Sequence, residues 1–342
     1  SQIRQCAGQF AGLLVPRSLG GLACSVKTAG AVLGELAKGD LAFAFSLVVH
    51  ANLTNAIARH GEDSHRERYL RSLLDGDIIG AFCLTEPDAG TDAAAITTRA
   101  EELQGEYSLS GEKAWVTNGA FADLFSVYAR LVTDSNVKPA SQIATFLVER
   151  STIGLTIESP YTLMGSHVMG TSAVSIRGCV VRPDAILFPP GAGFAAAMQG
   201  IDLARVLLSY MCCALVEQAL SVTTEYMQRR HAFSKPIASF QGLQFEMSEV
   251  ATDLAAAQCL TEKAADLLDR GESASVAAAH AKKFSTRAAV NGVGAAMKAM
   301  GAIGLKRAHP LARQLANAHT ALFLDGTTEV QNIVIARSLF TK

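Results

Sequence analysis

The sequence is poor in the features that mark several specialised classes of protein. Its 342 residues include one Trp, and its 30 basic and 31 acidic side chains nearly cancel to a formal charge of −1. Because there is no basic excess, we expect no nucleic-acid partner. No apolar run approaches the roughly 18 residues of a membrane-spanning helix, so we also expect no membrane span.

Cysteine and histidine occur, but not in metal-binding patterns. The seven cysteines include no C-x-x-C pair and the eight histidines no H-E-x-x-H motif, so we expect no metal site. An odd number of scattered thiols is typical of reduced, mostly buried cysteines and favours a cytoplasmic location. The opening stretch SQIRQCAGQF lacks the apolar core of a signal peptide, and we expect the N-terminal domain to be truncated at its start.

The chain divides into three regions of different texture. Residues 1–80 are predicted to be helical, and a long stretch rich in Ala and Leu ends at Gly61, a suitable C-cap. Residues 81–188 contain short β-forming runs separated by Gly, Asn, Asp and Pro, the pattern of a compact antiparallel β domain. Residues 189–342 return to long helices with apolar side chains at bundle spacing, and Gly271 ends one of them. The predicted class is therefore α+β.

Two glycine-rich stretches have a superficial likeness to nucleotide-binding loops. GAGFAAAMQG (191–200) is similar to a dinucleotide fingerprint, but no βαβ unit surrounds it and the helix that follows is too long. We interpret it as a helix start with small residues for close packing. GVGAAMKAMGAIG (292–304) is interpreted in the same way, as a tight helix end.

Four further stretches each admit a structural and a chemical interpretation. TEPDAGTD (85–92) is a long turn or an anion-binding nest of backbone N–H groups. WVTNG (115–119) either buries its Trp in a core or stacks a flat ring against it. Arg229 to His231, followed by Phe233, either ends a helix in solvent or grips phosphate. LFLDGTTEV (322–330) contains Asp-Gly, a turn signal that would also place a carboxylate at a loop apex.

Taken together and in order, six segments resemble the acyl-CoA dehydrogenase family. Each is weak alone, but the series is specific and covers almost the whole chain. The resemblance implies an N-terminal helical domain (1–80), a middle antiparallel β domain (81–188) and a C-terminal four-helix bundle (189–342). The six segments are FCLTEPDAGTD (82–92), GEKAWVTNGAFAD (111–123), MGSHVMGTSAVSI (164–176), GAGFAAAMQGIDLAR (191–205), QRRHAFSKPIASFQGLQ (228–244) and DGTTEVQNIVIAR (325–337).

The resemblance also implies a chemistry and its partners. Bound FAD would serve α,β-dehydrogenation of an acyl thioester, in which a carboxylate removes the α-proton and the β-hydride passes to flavin N5. The substrate would be an acyl-CoA or an acyl group on a carrier protein. A homotetramer or homodimer and an electron-transferring flavoprotein as electron acceptor are the implied assemblies.

Fourteen FAD-binding residues follow from the resemblance, in two groups. Those in the middle domain would edge or stack on the isoalloxazine ring or reach the phosphates; they are Phe82, Leu84, Thr85, Gly90, Thr91, Trp115 and Thr117. Those in the C-terminal region would contact FAD held by a neighbouring subunit, the FAD phosphates or the adenosine end; they are Arg230, Phe233, Gln241, Lys298, Gly301, Thr327 and Glu329.

The resemblance places Asp325 at the position of the catalytic base, which is ordinarily Glu. In some members the base lies just before the position of Arg205, where this chain has Ala204. Of the two positions, therefore, only that of Asp325 holds a carboxylate. Asp is one methylene shorter than Glu, and a misplacement of about 1 Å costs roughly a hundredfold in rate. Burial against an acyl group is expected to raise the pKa of this carboxylate and to make it a better base.

Four residues lie where the family binds the acyl-CoA arm, namely Asp202, Arg205, Gly326 and Arg337. The Gly326 N–H is also suited to polarise the thioester carbonyl.

Several positions depart from the family pattern and keep other functions open. Ala232, Ser234, Lys298, His167, Met169 and Leu324 replace residues that are more common in the family. The alternatives are a flavin-dependent monooxygenase or another altered reaction on the same fold, or a catalytically inactive homologue.

Overall fold

The computed structural model describes residues 2–131 and 138–340. The outer limits 1 and 342 of the predicted domains lie outside these residues, as does Val132, the last residue of the predicted β-forming run LFSVYARLV (124–132). By its internal contacts the chain divides into two units. Unit 1 comprises Ser1–Cys24, Ser46–Leu163 and His167–Ile201, and unit 2 comprises Ser25–Phe45, Met164–Ser166 and Asp202–Lys342. The three-domain boundaries drawn from the sequence stay a prediction.

Unit 1 contains an eight-stranded sheet. Its order is β6-β7-β3-β2-β4-β5-β8, and β1 also pairs with β4. Most pairs are antiparallel, as predicted, but β4 runs parallel to β1 and to β2. The strands are β1 (Gly80–Cys83), β2 (Arg99–Leu103), β3 (Glu106–Val116), β4 (Leu124–Leu131), β5 (Ile143–Glu149), β6 (Leu155–Ile157), β7 (Ser172–Val181) and β8 (Ile186–Phe188).

The sheet core is built from the strands with the longest apolar runs. β4 is buried along almost its whole length, which fits its near-continuous apolar sequence. Phe125, Val127 and Phe146 are fully buried within the core cluster. The sequence predicts YSLSG (107–111) and AWVTNG (114–119) as separate strands, but β3 (Glu106–Val116) contains the first and the start of the second. WVTNG therefore begins at the end of a strand rather than forming one of its own.

The helices before the sheet are α1 (Gln2–Phe10), α2 (Val26–His60), α3 (Asp63–His65) and α4 (Arg71–Asp75), with a π-helical turn at Arg66–Leu70. The predicted end of α2 is confirmed, because the Gly61 N–H donates to Ile57 O at 3.0 Å. Within α2 the backbone at Asp40 is non-helical. The Asp40 carboxylate accepts the N–H of Ala42 at 2.9 Å, and so caps the second half of the helix.

The C-terminal region is helical, with a short hairpin after its first helix. α5 begins at Gly193, so GAGFAAAMQG is a helix start as interpreted. Gly271 follows the end of α6 at a φ of +70° and ends it as predicted. The fold class α+β, with helices, sheet and helices in that order, is confirmed. The elements are α5 (Gly193–Arg229), β9 (His231–Ala232), β10 (Lys235–Pro236), α6 (Gln241–Asp269), α7 (Ser275–Met300), α8 (Pro310–Ala321) and α9 (Thr328–Phe340).

The expectation that no segment is long and apolar enough to span a membrane is wrong on length and composition. Among the described residues, three helical segments meet that measure: Val26–His60, Gly193–Arg229 and Ser275–Leu305. In the most apolar window of each, 67%, 67% and 44% of the residues are buried within the protein. Scattered polar residues interrupt each apolar run in the sequence, yet mean hydropathy stays high because Ala, Leu and Val dominate. An apolar helix of this kind also suits the interior of a helical bundle.

The seven cysteines are free thiols. Cys83, Cys179, Cys212 and Cys213 are buried, whereas Cys259 is exposed. Burial raises the pKa of Cys83 to about 12, which removes its thiolate character near neutral pH. The buried thiols therefore act as small core side chains.

Asn118 is a buried connector of unit 1 rather than an exposed turn residue. It is fully buried with a φ of +67°. Its Nδ2 donates to Ser46 O at 3.0 Å and to Gly80 O at 3.1 Å, and its Oδ1 accepts the Ser46 hydroxyl. One amide thus joins helix α2, the start of β1 and the end of β3.

We expect Asn118→Ala to lower the free energy of unfolding by about 1–3 kcal/mol, because it leaves two buried carbonyls without their amide donor. Urea-induced unfolding measures this loss. Asn55→Ala is the matched control, since among the described residues the Asn55 side chain has one hydrogen bond, an exposed one donated by Arg59. This control should change stability by less than about 0.5 kcal/mol. Equal effects of the two substitutions would contradict this role of Asn118.

Candidate active site

A buried ion pair shapes the Thr85–Asp92 turn. Lys113 Nζ lies 2.9 Å from Glu86 Oε1, with side-chain exposures of 0% and 4%. The same ammonium donates to Leu84 O at 3.1 Å. The Glu86 carboxylate also accepts hydrogen bonds from the backbone and hydroxyl groups of Thr97 and Thr98. The turn is therefore held by a buried charged network in which both Lys113 and Glu86 have hydrogen-bond partners.

The network keeps Glu86 ionised. Burial alone would raise the pKa of Glu86, but the Lys113 ammonium and the hydrogen bonds from Thr97 and Thr98 outweigh it and lower the pKa to about 2. Burial lowers the pKa of Lys113, and Glu86 opposes that shift. The stability that Glu86 contributes is accordingly present above pH 4.5, its usual pKa, and is lost as pH falls towards 2.

The predicted cofactor residues around this turn lie on neighbouring segments. The Ala114 N–H donates to Thr85 O at 2.9 Å, so the segment just after β1 runs beside β3. Phe82 packs against Tyr128 with ring centroids 4.9 Å apart, and Leu84 is buried. Gly90 and Thr91 are exposed on the turn itself.

Trp115 presents an exposed aromatic surface at the end of β3. Its φ is +57°, its exposed fraction is 58%, and its ring lies 4.5 Å from that of Tyr161 at an angle of 36°. Thr117, two residues on, is buried. Tyr161 donates its N–H to Thr171 O at 2.9 Å, and the Thr171 hydroxyl is buried with no hydrogen-bond partner among the described residues.

The remaining cofactor residues all belong to unit 2. Phe233 and Ser234 form the tip of the β9–β10 hairpin with φ of +51° and +64°, the geometry of a type I′ turn, which leaves Phe233 90% exposed. Arg230 and Gln241, on either side of the hairpin, are also exposed.

Lys298 and Gly301 lie at the end of α7, and Thr327 and Glu329 at the start of α9. The Lys298 ammonium is 2.8 Å from Glu246 Oε1, and Gly301 ends α7 at a φ of +64°. Glu329 sits in the first turn of α9, where a backbone N–H and the Thr327 hydroxyl lower its pKa. Each of these residues therefore already has a structural role in the single chain.

Asp325 lies in a tight loop between α8 and α9. Asp325 and Gly326 have φ of +52° and +95°. The φ of Gly326 favours glycine, and a Cβ there would also crowd two side chains, lying 3.1 Å from Gln331 Nε2 and 3.3 Å from Arg205 Nη2.

Two of the predicted substrate residues hold this loop. Arg205 Nε donates to Asp325 O at 2.9 Å, and its Nη1 lies 2.9 Å from Asp202 Oδ1. Asp202 in turn accepts the Ser275 hydroxyl. The structure therefore brings Asp202, Arg205 and Gly326 together around the backbone of Asp325, whereas Arg337 is exposed on α9. Their contacts with an acyl-CoA arm stay a prediction.

Among the described residues, one oxygen of the Asp325 carboxylate is buried without a partner. Its Oδ2 is buried and has no hydrogen bond among the described residues. Burial raises the pKa of Asp325 to about 6, although Arg205 and Lys282 act in the opposite direction. A carboxylate with one buried oxygen that has no hydrogen bond among the described residues, and with this pKa, has the properties of a general base near neutral pH.

Sequence reasoning missed Lys282, which is fully buried in α7. Its Nζ donates to Leu322 O at 2.8 Å and to Gly326 O at 2.6 Å. A signal was present, because Lys282 falls four residues after Ala278 and three before Ser285, at the spacing of the buried face of α7. A lysine at such a core position is rare unless it has partners.

Three family models match the chain in succession. The N-terminal, middle and C-terminal domains of acyl-CoA dehydrogenase match residues 3–77, 81–179 and 191–340. The chain belongs to the acyl-CoA dehydrogenase family.

Individual proteins agree over nearly the full length. An acyl-CoA dehydrogenase of Bacillus subtilis (strain 168) is 31% identical over 329 residues, covering 96% of this chain and 86% of that protein. A structure described as the electron transferring flavoprotein of Acidaminococcus fermentans contains a chain with a TM-score of 0.94 and 32% identity, covering 99% of this chain and 89% of that one. The prolyl acyl carrier protein oxidase AnaB matches with a TM-score of 0.91 and 26% identity, covering 98% and 89%.

Membership in the acyl-CoA dehydrogenase family confirms the expected class of enzyme. The protein is a flavoprotein oxidoreductase that acts on CH–CH groups, with FAD as its cofactor and FAD-dependent dehydrogenation of an acyl thioester as its reaction. The residues of unit 1 fit such a cofactor. The exposed face of Trp115 suits a flat ring, and the unpartnered hydroxyl of Thr171 beside Tyr161 suits its polar edge.

We expect Lys113→Met to lower the free energy of unfolding by about 3–5 kcal/mol, because Glu86 then stays buried without its cation. Urea-induced unfolding measures the loss, and the double variant Lys113→Met/Glu86→Gln should recover part of it.

Arg99→Met is the matched control for this prediction. Arg99 pairs with Glu101 on the surface, with exposures of 67% and 58%. Its loss should cost less than about 1 kcal/mol. A Lys113→Met protein as stable as this control would show that the turn does not depend on the buried pair.

Proposed function

We propose that the protein oxidises an acyl thioester at its α- and β-carbons, with Asp325 as the base that takes the α-proton. The observation that supports this role is the buried Oδ2 of Asp325, which has no hydrogen-bond partner among the described residues. FAD, when bound, supplies the acceptor for the hydride that leaves the β-carbon. The product is the α,β-unsaturated thioester.

The surroundings of Asp325 suit this task because they bind its backbone and not its carboxylate. Arg205 and Gln331 donate to Asp325 O at 2.9 and 3.3 Å, and Lys282 donates to the next carbonyl, that of Gly326. The loop is thus held while the carboxylate stays available to a substrate. In this proposal the loop compensates for the shorter Asp side chain, because its backbone is fixed at Asp325 itself. The Gly326 N–H is the proposed donor to the thioester carbonyl.

The proposal extends to the carrier of the acyl group, the electron acceptor, the oligomeric state and the location of the enzyme. The substrate is an acyl-CoA or an acyl group on a carrier protein, and relatives named for each kind support the two options. An electron-transferring flavoprotein is the proposed electron acceptor, supported by the similarity to a chain in the Acidaminococcus fermentans structure. Exposed Phe233 on a strained hairpin supports a homotetramer or homodimer in which it meets a second copy. We place the enzyme in the cytoplasm.

Replacing the carboxylate tests the base directly. Asp325→Asn should lower the rate of flavin reduction by an acyl thioester roughly 10²- to 10⁴-fold, because an amide cannot take the α-proton. The visible flavin spectrum of the purified protein should be unchanged, since the substitution keeps the shape of the side chain. Anaerobic stopped-flow absorbance measures the rate, with butyryl-CoA and a prolyl-loaded carrier protein as the first two substrates.

Two further variants make this experiment decisive. Asp63→Asn is the matched control, because the Asp63 side chain is 92% exposed and lies in unit 1. It should reduce at the wild-type rate. Asp325→Glu keeps a carboxylate and should retain more activity than Asp325→Asn. Rapid flavin reduction by Asp325→Asn would show that another group is the base.

A second candidate is an oxidase, which the similarity to AnaB favours. Dioxygen would then take the two electrons in place of a flavoprotein and would be released as hydrogen peroxide. Oxygen uptake that keeps pace with substrate turnover in air, without any added acceptor, would select the oxidase. Uptake far slower than anaerobic flavin reduction would select the dehydrogenase.

The reaction should fail in acid. Asp325 accepts a proton only when it is ionised, and burial raises its pKa to about 6. The rate constant for flavin reduction should therefore rise with pH, reach half of its maximum near pH 6, and fall roughly tenfold for each unit below that pH. Stopped-flow measurements from pH 4.5 to 9 test this. A rate that stays constant down to pH 4.5 would contradict Asp325 as the base.

A further inference from the structure

We propose that Lys282 is a positioning residue of the active site, whose buried ammonium clamps the Leu322–Gly326 loop and whose charge keeps Asp325 ionised. This inference rests on the proposed role of Asp325 as the base. Lys282 does not contact the reacting atoms in this proposal; it acts through the loop that carries Asp325.

Lys282 binds both ends of that loop. Its Nζ donates to Leu322 O at 2.8 Å and to Gly326 O at 2.6 Å, and the residue is fully buried. Leu322 comes directly after α8 and Gly326 directly after Asp325. One side chain therefore closes the loop across its base, and the rigid core of α7 fixes the position of that side chain.

The partners of Lys282 leave its charge unneutralised. Within the described part of the chain, its ammonium hydrogen bonds go to carbonyl oxygens and not to a carboxylate. A buried cation of this kind is costly unless a counter-charge lies nearby. Asp325 is the anion that most strongly favours the charged form of Lys282. Each group thus stabilises the ionised form of the other without a direct ion pair.

The other charged or titratable groups around the pair come from two helices, α5 and α9. Arg205 and Cys212 lie on α5, and Glu329 lies on α9. Burial lowers the pKa of Lys282 to about 8, while Asp325, Cys212 and Glu329 raise it and Arg205 lowers it. Arg205 and Lys282 both lower the pKa of Asp325. Removal of Lys282 therefore leaves Asp325 with Arg205 as its one remaining cation in this set.

These charges define a working window of pH. Below about 6 Asp325 is protonated, and above about 8 Lys282 loses its charge. Because the two groups interact, the limits belong to the pair rather than to either residue alone. An ammonium also holds the two loop carbonyls more strongly than a neutral amine does, so the rate of flavin reduction should show an acid limb from Asp325 and an alkaline limb from Lys282.

The test compares three variants by the pH dependence of anaerobic flavin reduction in the FAD-bound enzyme. Lys282→Met should move the acid limb upward by about 1 pH unit or more, since it removes a nearby opposite charge. It should also lower the maximum rate by about tenfold or more, because the loop loses its clamp. Lys282→Arg keeps the charge and does not titrate, so the acid limb should stay in place while the alkaline limb disappears. Lys283→Met, the neighbouring half-buried lysine on α7, is the matched control and should retain both limbs.

Each outcome bears on the proposal. A Lys282→Met enzyme whose rate falls equally at all pH values, with the acid limb unmoved, would show a merely structural lysine and overturn it. If Lys282→Met does not retain FAD, the Lys282→Arg enzyme provides the test. An alkaline limb that persists in Lys282→Arg would overturn the proposal. A wild-type rate with no alkaline limb near pH 8 overturns the proposal without any variant. An active Asp325→Asn enzyme would instead contradict the proposed role of Asp325 as the base. That result is distinguishable from one that contradicts the positioning role of Lys282.

Discussion

Two buried cations in unit 2 bind the backbone carbonyls of the loop that carries Asp325, and the position of this loop depends on them. Arg205 holds the carbonyl of Asp325, and Lys282 holds those of Leu322 and Gly326. Had either cation paired with the Asp325 carboxylate, its pKa would have fallen and the group would have become a poor base. Arg205 and Lys282 instead bind the backbone beside the Asp325 carboxylate. One carboxylate oxygen therefore has no hydrogen bond among the described residues, while both positive charges still lower the pKa of the group. The long apolar helices α5 and α7 are what hold these cations in place.

Unit 1 uses a related arrangement for a different purpose. Lys113 and Glu86 do pair, and the hydroxyls and N–H groups of Thr97 and Thr98 complete the network. Here the charges are mutually satisfied, so the result is a rigid turn and not a reactive group. Trp115 and the Thr171 hydroxyl, by contrast, remain exposed or unpartnered close to that turn. In unit 1 the paired polar groups thus fix a turn, and the exposed Trp115 ring and the Thr171 hydroxyl remain available to a ligand.

The order of elements and the family were predictable, since both rest on local information. Gly61 and Gly271 end helices as their types suggest, and six motifs in order identify the family. The parallel pairing of β4 with β1 and β2 was not predictable, because strand direction depends on contacts distant in sequence. The apolar length of three helices was underestimated, because a search for unbroken runs ignores mean hydropathy.

For the candidate site, the sequence by itself determined which chemical groups are present: a carboxylate before a glycine, an Arg on a long helix, and a Trp at a strand end. Only the tertiary structure decided what Asp325 and Lys282 do. Asp325 resembles any exposed turn residue until the tertiary structure buries one of its carboxylate oxygens, and Lys282 resembles a surface lysine until its helix face is buried. The physical reason is that a pKa depends on solvation and on neighbouring charges, and both are supplied by residues far away in the chain.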